Sequence, residues 1–380
     1  MRGPVPGSFN QWIYFLIFCI FEISRPPFRR QAPEPYRISN LKPVPMKHLG
    51  ISGGGTKISG LFGAAETILF EKNYRPDIIS GISAGAILSV PLAMSLYDPS
   101  FLDKIRNLVL NMKQEQFFNK PPVDEYGKIK TLNALLKIIS GDRALGEQEN
   151  LKKTISSVIT ERDFSIFVHN DDIPVCIVGA VDFFSGKRFY FNLKEVTYQH
   201  FLEFVNASGS LPIFTPGFYF EGDMRDFEGE TSGHPRYLLF DGGVRDHSPT
   251  NKILSSKRYG SKIKETATLF SRPEHLPDIL DPKEFDGKKD ILTILSRYVD
   301  ITNAEVSKND KERETELIAQ NHILDRGTIY LPRVLTNVYD TNPEKIRELY
   351  RKGKEAVEKY WNPISYDAFA GGLTREGVIV

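Results

Sequence analysis

The chain has 380 residues, of which 41% are hydrophobic and 26% are charged, and its formal net charge is +1. This composition is typical of a folded globular protein, and the length suits one large α/β domain or two smaller ones. A net charge so close to zero gives no bulk attraction to nucleic acid, so nucleic-acid binding is not predicted. Two cysteines, Cys19 and Cys176, are too few for a disulfide framework, and the seven histidines lack zinc-site spacing. No metal site is predicted, and a reducing, cytoplasmic location is expected.

The first predicted unit is a Pro-rich N-terminal arm, residues 1–45, in which prolines from Pro26 onward prevent regular structure. Its apolar segment, WIYFLIFCIF, occupies residues 12–21 and is about half as long as a transmembrane helix. Secretory signals carry apolar stretches of this length, but no small-residue cleavage site follows. Arginines do follow, which favours peripheral contact with an anionic membrane. The alternative is an apolar arm that packs on the body or on a partner chain.

The folded body is predicted to begin at residue 46 with a strand, MKHLGIS, that ends in three glycines. A helix is expected over residues 59–72, a buried strand over residues 77–83, and a further helix directly after it. This alternation of strands and helices indicates an α/β fold with a parallel sheet.

The rest of the chain continues the mixed pattern up to a predicted catalytic domain boundary at residue 365, with a C-terminal tail over residues 366–380. Residues 100–160 are predicted to be mainly helical, including TLNALLKII. Asn342-Pro343 supplies a cap and a first-turn proline for a terminal helix. The remaining predicted elements are two strands over residues 174–193 joined at Ser185-Gly186, a helix over 197–208, a polar excursion over 221–236, and strands over 237–240, 266–270 and 328–332.

The first motif with chemical meaning is Gly81-Ile82-Ser83-Ala84-Gly85, a G-x-S-x-G where a predicted strand meets a helix. A serine at such a turn is sharply exposed, and the N-terminus of the following helix adds a positive dipole end. Glycines on both sides leave room for close packing of the strand and the helix. The motif predicts a nucleophilic serine at Ser83; the alternative is a plain turn with a capping serine.

The second motif is Gly53-Gly54-Gly55, which also follows a strand and precedes a helix. Consecutive glycines leave backbone N–H groups free to bind a developing negative charge, so an oxyanion hole is predicted. A phosphate loop is the alternative, but Thr56-Lys57 stands in the wrong order for a Walker A motif, and Ile58 breaks the G-x-G-x-x-G pattern. A tight turn without a chemical role also remains open.

The third motif is Asp241-Gly242-Gly243, where Asp241 ends an apolar predicted strand. In a parallel sheet, ligands bind outside the carboxyl ends of the strands, and both Ser83 and Asp241 are predicted to lie at such ends. A buried carboxylate there could accept the serine proton directly. The alternative is an aspartate that only begins a turn.

The three motifs together, SGGGTK, GISAG and DGG, resemble the patatin-like phospholipases. Their order fits that family, as do the spacings of 28 residues from Gly55 to Ser83 and 158 from Ser83 to Asp241. The resemblance covers roughly residues 46–355 and includes Asn206–Pro212, which is similar to the family's A-S-x-A-x-P stretch. Two departures lie in the first motif, where Lys57 replaces a frequent arginine and Ile58 a usual glycine.

The resemblance implies a three-layer α/β/α sandwich with a mainly parallel central sheet. It implies that Ser83 is the nucleophile and Asp241 its base, that Gly53, Gly54 and Gly55 bind the oxyanion, and that Lys57, Gly81, Gly85, Gly242 and Gly243 support these motifs. The implied activity is that of a phospholipase A-type lipid acyl hydrolase, which forms an acyl-enzyme from a phospholipid or other lipid ester and needs no histidine, metal or organic cofactor.

Two other functions remain open at this point. An α/β-hydrolase-type esterase would use a Ser–His–acid triad, for which His275 or His322 would have to lie on a late loop. His247, only six residues beyond Asp241, is interpreted as a surface loop histidine. A non-catalytic interaction protein on the same fold is the other alternative. The intact pair of Ser83 and Asp241 argues against it.

Overall fold

The structure is a computed structural model that describes residues 45–119, 121–125, 130, 137, 142, 144–147, 149–273, 291–335 and 339–362. The predictions for the N-terminal arm, for the helix TLNALLKII at residues 131–139 and for the C-terminal tail lie outside these residues. All statements below concern the described part of the chain.

A single sheet is the centre of the described residues. Strand pairing follows the order β5-β6-β3-β2-β1-β7-β8, with β4 also paired to β3. Strands β2 and β6 share one edge of β3, and β4 lies along the other. Strands β3, β2, β1, β7 and β8 run parallel, whereas β4 and β6 run antiparallel to β3 and β5 runs antiparallel to β6. The predicted mainly parallel α/β sheet is therefore confirmed. The strands are β1 (Met46–Ile51), β2 (Ile78–Ile82), β3 (Val175–Asp182), β4 (Arg188–Asn192), β5 (Phe218–Glu221), β6 (Arg236–Asp241), β7 (Ile263–Phe270) and β8 (Leu324–Tyr330).

Helices connect these strands. The first is followed by a π-helical turn, Thr67–Glu71. The last is capped by Asn342, whose side chain accepts hydrogen bonds from the N–H groups of Glu344 and Lys345, as the sequence predicts. No helix among the described residues is long and apolar enough to cross a membrane. The helices are α1 (Ile58–Glu66), α2 (Ala84–Tyr97), α3 (Ser100–Leu110), α4 (Glu149–Val158), α5 (Glu161–His169), α6 (Tyr198–Ser208), α7 (Thr250–Leu254), α8 (Ile291–Gln320) and α9 (Pro343–Tyr360).

The two faces of the sheet pack into two separate cores, because successive side chains of a strand point to opposite faces. Ile79 and Val178 belong to the larger core, which also takes side chains from α1, α2, α6 and α9. Ile78 and Ile177 belong to the smaller core, to which α7 and α8 contribute. Helices thus cover both faces of the sheet, which is the predicted three-layer arrangement.

Two buried carboxyl groups join the turn after β6 to helix α8. Asp246 and Asp310 interact with each other, and burial raises the pKa of both, with the charge of Asp246 raising that of Asp310 further. Asp246 Oδ2 accepts hydrogen bonds from Tyr190 Oη at 2.5 Å and from Arg188 Nη1 at 2.8 Å. Asp310 Oδ2 accepts one from the His247 N–H at 2.5 Å. One guanidinium facing two carboxyl groups favours retention of a proton by the pair.

The retained proton predicts a pH-dependent stability that Asp310→Asn removes. The pKa of Asp310 is raised to about 8 in the folded protein, above the unfolded value of about 3.9. The native state therefore binds more protons between these two values and loses stability as the pH rises from the lower to the higher. Asparagine keeps the acceptor for His247 and a donor toward Asp246 without a titrating proton. Urea unfolding between pH 5 and 9 should therefore show a flatter decline for the variant. The same decline in both proteins would contradict this, and Glu312→Gln, at an exposed position of α8, is the matched control.

Candidate active site

Ser83 occupies a sharp turn between β2 and α2. Its φ of 54° and ψ of −119° lie in a region that residues other than glycine seldom adopt. The Ser83 carbonyl accepts hydrogen bonds from the N–H groups of Ala86 and Ile87 at 3.0 and 3.2 Å, which begins the helix directly after the turn. The side chain is 7% exposed. A strained serine between a strand and a helix is the arrangement of a nucleophile elbow.

The glycines of the motif are required by close backbone contacts. A Cβ atom on Gly85 would lie 2.1 Å from the carbonyl oxygen of Ile51, and one on Gly81 would lie 2.3 Å from the carbonyl oxygen of Gly85. Backbone atoms cannot move away as the end of a flexible side chain can. Glycine at position 85 lets the turn lie this close to β1, and glycine at position 81 lets β2 lie this close to the start of α2.

Ser208, the last residue of α6, ties the Ser83 turn to β3. The Ser83 N–H donates to Ser208 Oγ at 2.9 Å, and Ser208 Oγ donates to the carbonyl oxygen of Gly179 at 2.6 Å. The Asp241 N–H donates to the carbonyl oxygen of Ser210, two residues later, at 2.9 Å. Sequence reasoning gave Ser208 no role, although it lies within the Asn206–Pro212 stretch that carried part of the family resemblance.

Replacing Ser208 with alanine should destabilise the fold by about 1–3 kcal/mol, because a buried N–H and a buried carbonyl each lose their partner. Ser208 is 0% exposed, so solvent water cannot readily replace the hydroxyl as a hydrogen-bond partner. The free energy of unfolding in urea measures the effect. Ser95→Ala is the matched control, since Ser95 is equally buried and its hydroxyl bonds only to Leu92 of its own helix. Equal losses in the two variants would contradict the bridging role.

Asp241 reaches Ser83 because β2 and β6 meet end to end along one edge of β3. Strand β4 pairs with residues 177–181 of β3, which overlaps the partners of both β2 and β6, so β4 must occupy the opposite edge. On the shared edge Ile82 pairs with Gly179 and Asp241 pairs with the next residue, Ala180. Asp241 was predicted to end a strand parallel to that of Ser83, and this direction is wrong. Strand β6 runs antiparallel to β2 and β3, so the carboxyl ends of β2 and β6 point toward each other.

The Asp241 carboxyl group is buried, 2% exposed, and has a perturbed pKa. Burial raises its pKa to about 6, while the nearby Ser83 hydroxyl and the hydrogen bond from the Gly243 N–H hold the increase down. The Gly243 N–H lies 2.7 Å from Asp241 Oδ1. Gly242 supports the turn, because a Cβ atom there would lie 2.8 Å from the Gly179 carbonyl oxygen. The carboxyl group is thus fixed beside the serine and ionised at neutral pH.

The triple-glycine loop passes directly beside Ser83. A Cβ atom on Gly53 would lie 2.9 Å from Ser83 Cβ, and one on Gly54 would lie 2.6 Å from Ser271 Cβ. Gly55 has a φ of 55°, in the left-handed region that favours glycine. Within the described ranges, the N–H groups of these three glycines have no hydrogen-bond acceptor.

Serines and the start of α1 hold this loop through its carbonyl groups. Ser271 Oγ donates to the Gly53 carbonyl oxygen, and the Ser271 N–H donates to Ser52 Oγ at 2.9 Å. The Lys57 N–H donates to the Gly54 carbonyl oxygen at 3.1 Å. Anchoring through carbonyls keeps the loop in place while its N–H groups remain available for a negative charge.

Tyr339 is a further residue of the site that the sequence did not reveal. Burial raises its pKa well above the usual value, and the negative charge of Asp241 raises it further, so the phenol lies near that carboxyl group. Its ring packs against Phe118 and Phe214, with centroids 5.4 and 4.9 Å away. No motif surrounds Tyr339 in the sequence, and only the fold brings it to Asp241.

Of the three candidate triad histidines, the structure describes His247 and His322. His247 is 8% exposed and lies at the buried pair of Asp246 and Asp310, so its interpretation as a surface histidine is wrong. His322 is exposed and precedes β8, at the amino edge of the parallel strands, about 20 Å along the strand direction from the edge where Ser83 lies. His275 lies outside the described residues. Among those described, no three His, Cys, Asp or Glu side chains are grouped to hold a metal ion.

Among solved structures, VipD from Legionella pneumophila is 15% identical with a TM-score of 0.40, covering 83% of this chain and 66% of its own. The type III effector protein ExoU of Pseudomonas aeruginosa is 15% identical with a TM-score of 0.34, covering 83% and 52%. Human GIVD cytosolic phospholipase A2 is 10% identical with a TM-score of 0.33, covering 82% and 63%. The chain thus spans less than two thirds of the length of each.

Among curated protein sequences, none matches this chain significantly. The family model described as patatin-like phospholipase matches residues 49–253, which is more than half of the 380 residues and contains all three motifs. On this match, the chain belongs to the patatin-like phospholipase family.

Proposed function

We propose that this chain is a lipid acyl hydrolase that cleaves carboxylic esters through an acyl-enzyme on Ser83, with Asp241 as the base and residues 46–365 as the catalytic domain. Membership of a phospholipase family supports a lipid ester as the substrate. One observation supports the mechanism: the buried Asp241 carboxyl lies beside the hydroxyl of a serine in a strained strand-to-helix turn, near enough for that hydroxyl to lower the pKa of the carboxyl.

Acylation would begin with transfer of the Ser83 proton to Asp241 while Ser83 Oγ bonds to the ester carbonyl carbon. A pKa of about 6 makes Asp241 a stronger base than an exposed aspartate, yet leaves it mostly ionised at pH 7. Because the Gly243 N–H holds Oδ1, the carboxylate needs little reorganisation before the proton moves.

The negative charge that develops on the carbonyl oxygen would be bound by N–H groups of Gly53, Gly54 and Gly55. One preorganised donor of this kind commonly contributes about 10²–10³-fold in rate. Collapse of the tetrahedral intermediate breaks the ester C–O bond, and the proton on Asp241 passes to the leaving alcohol.

Deacylation would repeat these steps with water. Asp241 takes a proton from a water molecule whose oxygen attacks the acyl-Ser83 carbonyl carbon, and the serine oxygen leaves with that proton. The product is a free carboxylic acid, and Asp241 is returned to its ionised state. These steps use only the side chains named here, the glycine loop and water.

Release of fatty acid from defined phospholipids tests the proposal. Vesicles whose lipids carry different acyl chains at the two glycerol positions should yield free fatty acid and lysophospholipid, identified by mass spectrometry. Protein that has reacted beforehand with a long-chain fluorophosphonate is the control and should release none. If untreated, folded protein releases no acid from these lipids or from water-soluble p-nitrophenyl esters, the chain is better explained as an interaction protein.

A further inference from the structure

An aromatic corner lies exposed at the end of the sheet that carries Asp241. We define it as Phe183, Phe184, Tyr219 and Phe240. Phe183, Phe184 and Tyr219 are 47%, 52% and 48% exposed, and Phe240 is partly buried. The Phe183 ring lies 6.0 Å from that of Phe184 and 6.0 Å from that of Phe240, measured between centroids. Clustered exposed aromatics are uncommon on a protein surface that faces only water.

Strand pairing explains why these side chains share one surface. Tyr219 pairs with Leu238, so both point to the same face of the β5–β6 ribbon as Phe240, two residues further along β6. Tyr237 and Leu239 point to the opposite face and are buried in the larger core. The ribbon therefore covers the core with one face and presents its aromatic face outward.

The tip of the β3–β4 hairpin adds positive charge beside the corner. Lys187 Nζ donates to the Thr231 carbonyl oxygen at 3.0 Å, and Arg245 Nη1 donates to the Gly186 carbonyl oxygen. A carbonyl oxygen satisfies a hydrogen bond but does not neutralise a charge.

Arg188 lies on the same hairpin and pairs with Asp246 at 2.8 Å. The side chains of Lys187, Arg188 and Arg245 are exposed, whereas the carboxyl groups of Asp246 and of Asp182, at the base of the same hairpin, are buried. The exposed charges that the hairpin carries are therefore positive. At the end of the ribbon away from Asp241, Arg236 and Glu221 form an ion pair at 3.4 Å, so these two charges offset each other. We call Lys187, Arg188 and Arg245 the basic rim.

The aromatic corner lies beyond the same end of the sheet as Ser83. Ile82, next to Ser83, pairs with Gly179, and β3 continues three residues beyond Gly179 before Phe183 begins the hairpin turn. Phe240 directly precedes Asp241. A flat surface that contacts the hairpin tip would therefore lie opposite the carboxyl end of β2, where Ser83 and Asp241 meet.

We infer that the aromatic corner and its basic rim dock this protein on an anionic lipid bilayer. Aromatic rings are favoured at the boundary between headgroups and acyl chains, and basic residues are attracted to anionic headgroups over about a Debye length. Docking through this surface would bring the Ser83 edge to the membrane. The inference deepens the proposed function by naming the surface that delivers its lipid substrate, while the docking itself requires no turnover.

Vesicle flotation of full-length protein carrying Ser83→Ala measures the docking without hydrolysis. The wild-type surface should bind vesicles containing phosphatidylglycerol more tightly than pure phosphatidylcholine vesicles, and added salt should weaken the binding. Phe184→Ser combined with Tyr219→Ser should lower the partition coefficient at least about 10-fold. Lys187→Glu should remove most of the preference for anionic vesicles.

Tyr97→Ser is the matched control for loss of an exposed aromatic. Tyr97 is 54% exposed and ends α2, which runs back from Ser83 to the opposite edge of the sheet. Protein with this control substitution should bind vesicles as tightly as protein that carries Ser83→Ala alone. With Ser83 intact, the double variant should still hydrolyse a water-soluble p-nitrophenyl ester at an unchanged rate, which shows that it folds and separates docking from catalysis.

Two results would overturn the inference. One is unchanged vesicle binding by the double variant, which would assign membrane contact to another part of the chain. The other is a dimer in light scattering that the double variant converts to a monomer, which would make a second copy the occupant of the corner. Failure of the proposed function is distinct, because it would appear as absent ester hydrolysis while the flotation results stand.

Discussion

Replacing Asp241 with asparagine should lower kcat for ester hydrolysis by about 10³-fold or more. Asparagine has nearly the same shape, and its carbonyl oxygen can still accept the Gly243 N–H that now bonds Asp241 Oδ1. It cannot take a proton from Ser83, so both acylation and deacylation lose their base. Hydrolysis of a water-soluble p-nitrophenyl ester, followed for the wild type and the variant, measures this loss.

The pH dependence of the wild type should report the same carboxyl group. Because burial raises the pKa of Asp241 to about 6, the base is protonated and inactive below that pH, and kcat/KM should rise with pH through about 6. His247→Gln, His322→Ala and His275→Ala serve as controls and should each retain activity. If one of them abolishes hydrolysis while Asp241→Asn does not, a Ser–His–acid triad replaces the dyad.

Asp241→Asn should also make the protein more stable at alkaline pH. A folded pKa above the unfolded value of about 3.9 means that ionising Asp241 at pH 8 costs the native state up to about 3 kcal/mol. The asparagine variant avoids this cost, so its urea midpoint should exceed that of the wild type above pH 6 and approach it near pH 4. If Asp241→Asn is more stable than the wild type yet less active, the loss of activity is catalytic and does not result from misfolding.

The second large effect is expected at the glycine loop, where Gly53→Ala should lower kcat by about 10²–10³-fold. The new methyl group would lie 2.9 Å from Ser83 Cβ and 3.5 Å from Ser83 Oγ, so either the loop or the serine must move. Movement takes the loop N–H groups out of line with the oxygen they would bind. Ester hydrolysis and thermal unfolding should be measured on the same samples.

Gly229→Ala is the matched control for the cost of replacing a glycine. Gly229 has a φ of 82°, and nothing lies within 4 Å of an added Cβ atom, so the substitution strains only the backbone. It should lower stability slightly and leave the rate unchanged. Full activity in Gly53→Ala would remove the loop from the mechanism.

Much of the fold follows from local sequence pattern. The alternation of apolar strands with helices over residues 46–96 appears in the structure as β1, α1, β2 and α2. Strand β5, Phe218–Glu221, was not predicted, because its four residues run directly into the polar stretch that begins at residue 221. A short ribbon of this kind is defined by its pairing partner, and pairing is not visible in local periodicity.

The direction of β6 shows a similar limit. An apolar strand reads the same whether it enters a sheet parallel or antiparallel, so YLLF predicts a strand without its orientation. Ser83 and Asp241 were expected to lie close together because both would follow parallel strands. In the structure they are close because β2 and β6 run in opposite directions along β3 and end at neighbouring residues of it. The roles of Ser208 and Tyr339 likewise depend on contacts across more than 90 residues of sequence.

Covalent labelling of Ser83 tests the proposed dyad most directly. A fluorophosphonate should add once per chain, peptide mapping should place the adduct on Ser83, Ser83→Ala should take up none, and Asp241→Asn should react far more slowly. Rapid labelling that is independent of Asp241, or a folded and active enzyme whose adduct lies on another residue, would contradict the pairing of this hydroxyl with this carboxylate.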